Sequence, residues 1–352
     1  MPGMAENPTV WVNTRNLLKA FTGIQRYTQE LLARLPHLKP VAPMHHLPHP
    51  VGHAWDQLVL PMKVGKGALF SPGNFGPLVC SRQVLTLHDI IPHDLPQAVR
   101  FSSRAARTWY GFLVPTLVRR VRRVITVSAF SKERILDWTG VEEEKVVVIP
   151  NGVDPRFRPR ASEEVAQKRR DLGLPEAYFL SVGVLGPRKN QAGLLRAWSL
   201  ALPRLPEEVW LLLAGPGDWT GFVKGPLGGT VPPRVRHLGV VADEDLPWVY
   251  AGALGFVLPS LYEGFGLPAL EAMASGVPVV VSGTTAFPEV VGEAGLLVDP
   301  LDPEAIAHAL VRLAEGASLR RALAQKGLER AQGFTWEKTA EETWRILRQA
   351  LF

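Results

Sequence analysis

A chain of 352 residues, 46% of them hydrophobic, can bury a large core, and its length favours two or three domains. That balance excludes a disordered or fibrous class. No run approaches the roughly eighteen apolar residues of a membrane helix, the start MPGMAENPTVWVNTR lacks a signal-peptide pattern, and lone Cys80 excludes an internal disulfide, so a cytoplasmic protein is expected. The net charge of +6 is uneven: residues 1–150 carry 18 Lys+Arg against 10 Asp+Glu (+8), and residues 151–352 carry 21 against 23 (−2). A basic first half beside a near-neutral second half points to one lobe that meets an anionic surface or substrate.

Apolar runs with strand character alternate with helical patterns along the chain, which predicts parallel α/β sheets built from βαβ units. In the first half 10–13, 84–87, 124–127 and 146–149 read as strands, with helices over 23–35 and 131–139. The segment 150–159, rich in Pro, Asn and Gly, reads as the domain border. In the second half 178–183, 209–214, 255–258 and 277–281 read as strands, with helices near 190–202, 245–251, 268–275 and 303–315. Trp336, Ala340, Trp344, Leu347 and Leu351 fall at helical spacing and predict a closing amphipathic helix that needs a surface to cover. The expected domains are 1–155, 156–335 and the helix 336–352: two Rossmann-like domains facing across a cleft, plus a returning helix.

Ligands of open α/β sheets bind beyond the carboxyl ends of the strands, so the residues that follow strands are the candidates. After 178–183 a Gly/Pro loop carries Arg188 and Lys189 ahead of a helix, a pair that suits a diphosphate, although a solvated loop would also hold two basic residues. After 209–214, Gly215 and Gly217 leave room for a flat base or ribose, or mark a tight turn. His88 ends a first-half strand, where it can position a hydroxyl or shuttle a proton, with Asp89 placed to orient it. Gly23 opens a helix whose amino end favours an anion. In LYEGFGLPALEAMASGVPVVVS (261–282), Pro268 suits a helix start and Gly276 its left-handed end, and Glu263 and Glu271 flank a glycine turn where phosphate or sugar oxygens can approach backbone.

Two patterns are set aside. His45, His46, His49 and His53 lie among Pro48 and Pro50, which break the helix that would align them as ligands, so a loop is expected. Asp243 and Asp245 share an Asp-x-Asp spacing but precede Leu246 and Pro247 as an acidic helix start. No metal site is expected.

With these residues assembled, the chain resembles the retaining GT-B glycosyltransferases of glycosyltransferase family 4, in particular the bacterial mannosyltransferase-like group. The most specific match is the Glu-x7-Glu motif of Glu263 and Glu271, preceded in order by TGIQRY (22–27), LHD (87–89), IPNGVD (149–154) and GPRKN (186–190). The resemblance implies that Glu271 holds the ribose, Glu263 the donor-sugar hydroxyls, and Arg188 and Lys189 the diphosphate. It adds backbone N–H groups from Gly264, Phe265, Gly266 and Leu267, and places His88 near the transferred sugar and Gly23 near the phosphates. It implies hexose transfer, with mannose favoured, from a GDP- or UDP-sugar to a glycan or lipid-linked acceptor in surface polysaccharide synthesis, without a cofactor and with base contacts near 238–241. Asn13 and Gly186 stand where relatives commonly carry acidic residues.

Residues 97–123 combine Arg100, Arg104, Arg107, Arg119, Arg120, Arg122 and Arg123 with Trp109, Tyr110 and Phe112, a composition that suits either an anionic membrane interface or a core helix with a solvated Arg face. Two other functions stay open: a sugar-nucleotide epimerase of the same architecture, and a non-catalytic nucleotide- or nucleic-acid-binding protein. No recognised nucleic-acid motif is present, so a nucleic-acid partner is not expected.

Overall fold

The computed structural model describes residues 9–18, 22–48, 50–98 and 103–352. The chain divides into two compact units, one made of residues up to 152 together with 335–352, the other of 153–334. The borders expected from the sequence are 155/156 and 335/336.

The first unit is built on β1 (Val10–Asn13), β2 (Leu38–Val41), β3 (Ala68–Ser71), β4 (Gln83–Thr86), β5 (Arg123–Thr126) and β6 (Val146–Val148), in the order β2-β1-β3-β4-β5-β6. The second holds β7 (Ala177–Val182), β8 (Val209–Ala214), β9 (Val235–Gly239), β10 (Gly255–Leu258), β11 (Val279–Ser282) and β12 (Gly295–Val298), in the order β12-β11-β10-β7-β8-β9. Every pairing is parallel. Helices therefore cover both faces, and the central strands β3, β4, β10 and β11 are buried throughout. In the second unit Phe179, Trp198, Leu211, Val257 and Leu310 share one core, and in the first Leu85, Leu117, Val124 and Ile135 share another.

Sequence reading anticipated the eight other strands to within two residues at either end, and it missed β2, β3, β9 and β12. Three of these are sheet edges, where alternation is weak: β2 carries Lys39 and Pro40, which an edge tolerates because one side needs no ladder hydrogen bond.

The order of strands fixes where ligands can enter. In the second unit the chain leaves β7 towards β8 on one side and leaves β10 towards β11 on the other, so the loops after these adjacent strands diverge and open a crevice. In the first unit the loops after β1 and β3 diverge in the same way.

The closing helix, Trp336–Leu351, is capped by Thr335 and belongs to the first unit. Trp336, Ala340, Leu347 and Leu351 are buried, and Trp344 stacks on His37 at 5.4 Å. Glu337 pairs with Arg34 at 2.8 Å, and the Thr339 hydroxyl donates to the Pro150 carbonyl at 2.7 Å. The apolar stripe drives docking and these polar contacts set its register. Trp336→Ala should lower stability by about 3–5 kcal/mol in chemical denaturation; an unchanged midpoint would mean that the helix does not hold the first unit together.

Candidate active site

The loop after β7 ends in a short 3-10 turn, Pro187–Lys189, followed by Asn190 in the left-handed region and the helix Gln191–Ala201. The Gln191 side chain ties the loop back, accepting from the Gly186 N–H at 3.1 Å and donating to the Val184 carbonyl at 3.0 Å. This places Arg188 and Lys189 beside the loop after β10. Lys189 Nζ lies 2.5 Å from Glu263 Oε1, Arg188 Nη1 lies 3.0 Å from the same oxygen, and the Ser260 hydroxyl donates to it at 2.8 Å. Arg188 also donates to the Tyr262 carbonyl at 3.0 Å, and its own carbonyl accepts from Leu261 N–H at 2.8 Å. The crevice between β7 and β10 thus holds a charge cluster built from both of its banks.

Lys189 and Glu263 are both 6% exposed. Burial alone would raise the Glu263 carboxyl, but the charges of Lys189 and Arg188 outweigh it and hold the pKa at about 2, so the side chain is a carboxylate. Burial pushes the Lys189 ammonium below its ordinary value, opposed by Glu263. Two cations share one carboxylate oxygen, and all three contacts on Glu263 fall on Oε1, which leaves Oε2 as an acceptor.

Beyond Glu263 the chain turns through Gly264, Phe265 and Gly266 into the helix Leu267–Ala274, with Pro268 in its first turn. Gly266 has φ +99°, and a Cβ there would lie 2.5 Å from the Phe287 ring, so only glycine carries the chain into this helix. Phe265 packs against Phe334 at 5.8 Å and is buried, so its side chain belongs to the core. Glu271, one turn further on, accepts from the buried Tyr250 hydroxyl at 2.9 Å. Across the crevice, a Cβ on Gly215 would sit 2.2 Å from the Gly183 carbonyl, which explains glycine after β8. Ser260, Tyr250 and Thr285, whose hydroxyl accepts from the Glu263 N–H at 3.3 Å, were not anticipated. Ser260 directly precedes the stretch 261–282 and was legible by proximity, whereas Tyr250 is brought in by the fold.

His88 and Gly23 belong to the first unit. His88 Nε2 lies 2.9 Å from the Pro72 carbonyl and therefore carries the proton, leaving Nδ1 as acceptor; the ring meets Tyr27 edge-on at 4.8 Å. Asp89 does not supply that contact: its Oδ1 accepts from Ile91 N–H. Burial pushes the His88 pKa down to about 4, so the imidazole is neutral near pH 7 and suits holding a hydroxyl rather than delivering a proton as imidazolium. Gly23 starts the helix Gly23–Arg34 at the edge of a cavity of about 370 Å³ lined by Asn13, Arg15, Thr22, Gln25, Asn74 and Phe75, in the fork after β1 and β3. Asn13 donates to Asp56 at 3.1 Å, and Arg15 grips the fully buried Asp56 at 3.0 and 2.5 Å, so a carboxylate does reach the end of β1, from the π-helical segment Trp55–Val59.

The patterns set aside are also placed. His45 and His46 are exposed in a loop, His53 packs on Phe75 at 4.8 Å, and His49 lies outside the described residues. Asp243 pairs with Arg156 at 2.8 Å and Asp245 with Lys168 at 2.7 Å.

The His88 environment carries a pH signature. Its pKa is about 4 folded and 6.5 ordinarily, so stability is complete above 6.5 and falls towards pH 4, where the unfolded chain binds a proton that the folded chain refuses. The loss should be up to about 3 kcal/mol over that window. His88→Gln should flatten the dependence of unfolding free energy on pH there; an unaltered slope would contradict the buried neutral imidazole.

Residues 176–316 match the family described as Glycosyl transferases group 1, and residues 73–157 match Glycosyltransferase Family 4. The chain is 34% identical over 322 residues to the O-antigen chain mannosyltransferase B of Escherichia coli, covering 89% of this chain and 81% of that one. It is 33% identical over 282 residues to the MMP alpha-(1->4)-mannosyltransferase of Mycolicibacterium hassiacum, covering 76% and 65% respectively. Its fold is similar to that of Anabaena HepE in complex with UDP-glucose, with a TM-score of 0.78 at 20% identity over 97% of this chain and 100% of that one. It is also similar to WaaG, a glycosyltransferase involved in lipopolysaccharide biosynthesis, with a TM-score of 0.73 at 16% identity over 96% and 99%. The chain therefore belongs to glycosyltransferase family 4 and is a glycosyltransferase of the GT-B fold.

Proposed function

We propose that this glycosyltransferase moves a hexose, mannose by preference, from a GDP- or UDP-sugar to a hydroxyl of a glycan or lipid-linked acceptor, with retention of configuration, in surface polysaccharide assembly. The observation that carries the donor reading is the cluster of Arg188, Lys189 and Glu263 at the fork of β7 and β10: two cations against one adjacent carboxylate leave positive charge that a diphosphate completes. Glu271 suits the ribose hydroxyls, Glu263 Oε2 the hydroxyls of the sugar, and the N–H groups of 264–267 the remaining phosphate and sugar oxygens. The preference for mannose is supported by the names of the relatives from Escherichia coli and Mycolicibacterium hassiacum.

In this mechanism the departing diphosphate gathers negative charge against Arg188 and Lys189, with no metal or other cofactor required by the residues named. Glu263 is held ionised but pinned by two cations, and so strongly stabilised a carboxylate is a poor nucleophile. That favours attack from the face of the leaving group, whose phosphate takes the acceptor proton, over a covalent glycosyl-enzyme intermediate. His88 Nδ1, fixed by the Nε2 contact to Pro72, suits a hydroxyl of the transferred sugar, with Gly23 near the phosphates. The amide side chains among the residues that line the first-unit cavity, with Arg15 paired to Asp56, suit the acceptor. In this reading the enzyme works in the cytoplasm, against an anionic membrane through 97–123; of that stretch, residues 99–102, Arg100 included, lie outside the described residues. Among the described residues no helix is long and apolar enough to cross a membrane. No nucleic-acid partner is proposed.

Calorimetric titration with GDP- and UDP-sugars, with EDTA present, should find one donor that binds, and Glu271→Ala should weaken it by at least about tenfold, or about 1.4 kcal/mol. Binding that needs a divalent ion would overturn the metal-free reading, and donor consumption without any acceptor would favour the epimerase.

A further inference from the structure

Unit 1 exposes large apolar side chains on three separate elements: Val51 (52%), Leu58 (67%) and Met62 (82%) on the helical stretch 51–64, Val79 (67%) on the loop after β3, and Phe112 (56%) on the helix Arg104–Arg120. Scattered exposed apolar residues need no explanation, so the question is whether these form one surface. Hydrogen bonds join the three elements side by side. The Gln57 amide donates to the Gly76 carbonyl at 2.9 Å and accepts from the Leu78 N–H at 3.0 Å, and Arg120 donates to the Leu78 carbonyl at 3.3 Å. Beneath them the Phe75 ring lies between His53 of the first helical stretch, at 4.8 Å, and Tyr110 of the second, at 6.2 Å. The elements that carry the exposed apolar side chains are therefore neighbours in the unit.

The charge along these elements is one-sided. No Asp or Glu occurs in residues 57–88 or 95–132, while Lys63, Lys66, Arg119 and Arg120 are exposed along it. An apolar stripe flanked by cations is the pattern of a face that lies in the interface of an anionic bilayer, the apolar groups entering the acyl boundary and the cations meeting the headgroups. A second copy of the chain would bring the same positive charge against it, at an electrostatic cost.

We propose that unit 1 docks on anionic membranes through this composite face, with Leu58 and Met62 as inserted side chains and Lys63 and Lys66 as headgroup contacts. This extends the membrane contact beyond 97–123 to the helical stretch 51–64, and it rests on the reading above that the acceptor is lipid-linked. Membrane contact of this kind holds a soluble enzyme beside a substrate that cannot leave the bilayer.

The test is co-sedimentation of the full chain with phosphatidylcholine vesicles, with and without phosphatidylglycerol, for the native protein, Leu58→Ser/Met62→Ser and Lys63→Gln/Lys66→Gln. All four side chains are exposed, so the variants should keep their native melting temperature. The native protein should partition onto the phosphatidylglycerol vesicles alone, and each double variant should bind about tenfold more weakly. Absence of binding, or binding unaffected by Leu58→Ser/Met62→Ser, overturns the proposal. A native dimer that this variant dissociates assigns the face to a second copy and overturns it as well. Transfer to a water-soluble acceptor should remain within about twofold in both variants, since none of the four residues lies in the proposed active site. If native protein binds vesicles as expected yet transfers no sugar to any acceptor, the transferase reading fails while the docking face stands.

Discussion

The ion pair between Lys189 and Glu263 organises the second unit's site. Withdrawing both charges from water is costly, and the loss is offset only where further partners complete the geometry. Here those partners are Arg188 and the Ser260 hydroxyl; the loops that carry them are tied to one another by Leu261 N–H on the Arg188 carbonyl, and the Ser282 hydroxyl at the end of β11 holds the Ser260 carbonyl. Removing either member of the pair would strand a buried charge. The arrangement is therefore ordered before any ligand arrives, and a charged ligand meets fixed groups instead of having to assemble them. Strand order supplies the place: only where neighbouring loops diverge can two such loops face a common opening.

The first unit repeats the geometry with different chemistry. Its fork, between β1 and β3, also holds a buried ion pair, Arg15 with Asp56, but this one is bidentate and internally neutral, and the cavity beside it is lined mainly by amide and hydroxyl groups. A balanced pair stiffens a wall; an excess of cations draws an anion. The contrast between the forks matches a reaction in which one substrate leaves as a diphosphate and the other offers a hydroxyl.

Much of this was legible in the sequence, for identifiable reasons. Buried parallel strands such as β8 and β10 are continuous apolar runs, and helix limits are marked by groups with no other use, such as Pro268 and Gly276. The Glu263 to Glu271 spacing and the Arg188 and Lys189 pair could be picked out because charged residues after a strand are conspicuous. Edge strands β2 (LKPV) and β9 (VRHLG) escaped because one side of each faces no neighbour and tolerates polar residues, whereas β12 (GLLV) is a short apolar run that polarity does not explain. Asp56 and Tyr250 escaped because each reaches its partner across 41 and 21 residues respectively, a proximity that only the folded sheet creates. The His88 environment was half legible: its position at a strand end could be read, but the Pro72 carbonyl that fixes its proton is a backbone group and leaves no side-chain trace.

The central claim is that the Arg188 and Lys189 cluster is a diphosphate site. The direct measurement is the ratio of affinities for a nucleoside diphosphate and the matching monophosphate, in the native protein and in Lys189→Gln with its fold verified. The account predicts a native preference for the diphosphate of at least about tenfold, roughly 1.4 kcal/mol, that shrinks towards unity in the variant. An equal ratio in the two proteins would place the phosphates elsewhere and contradict it.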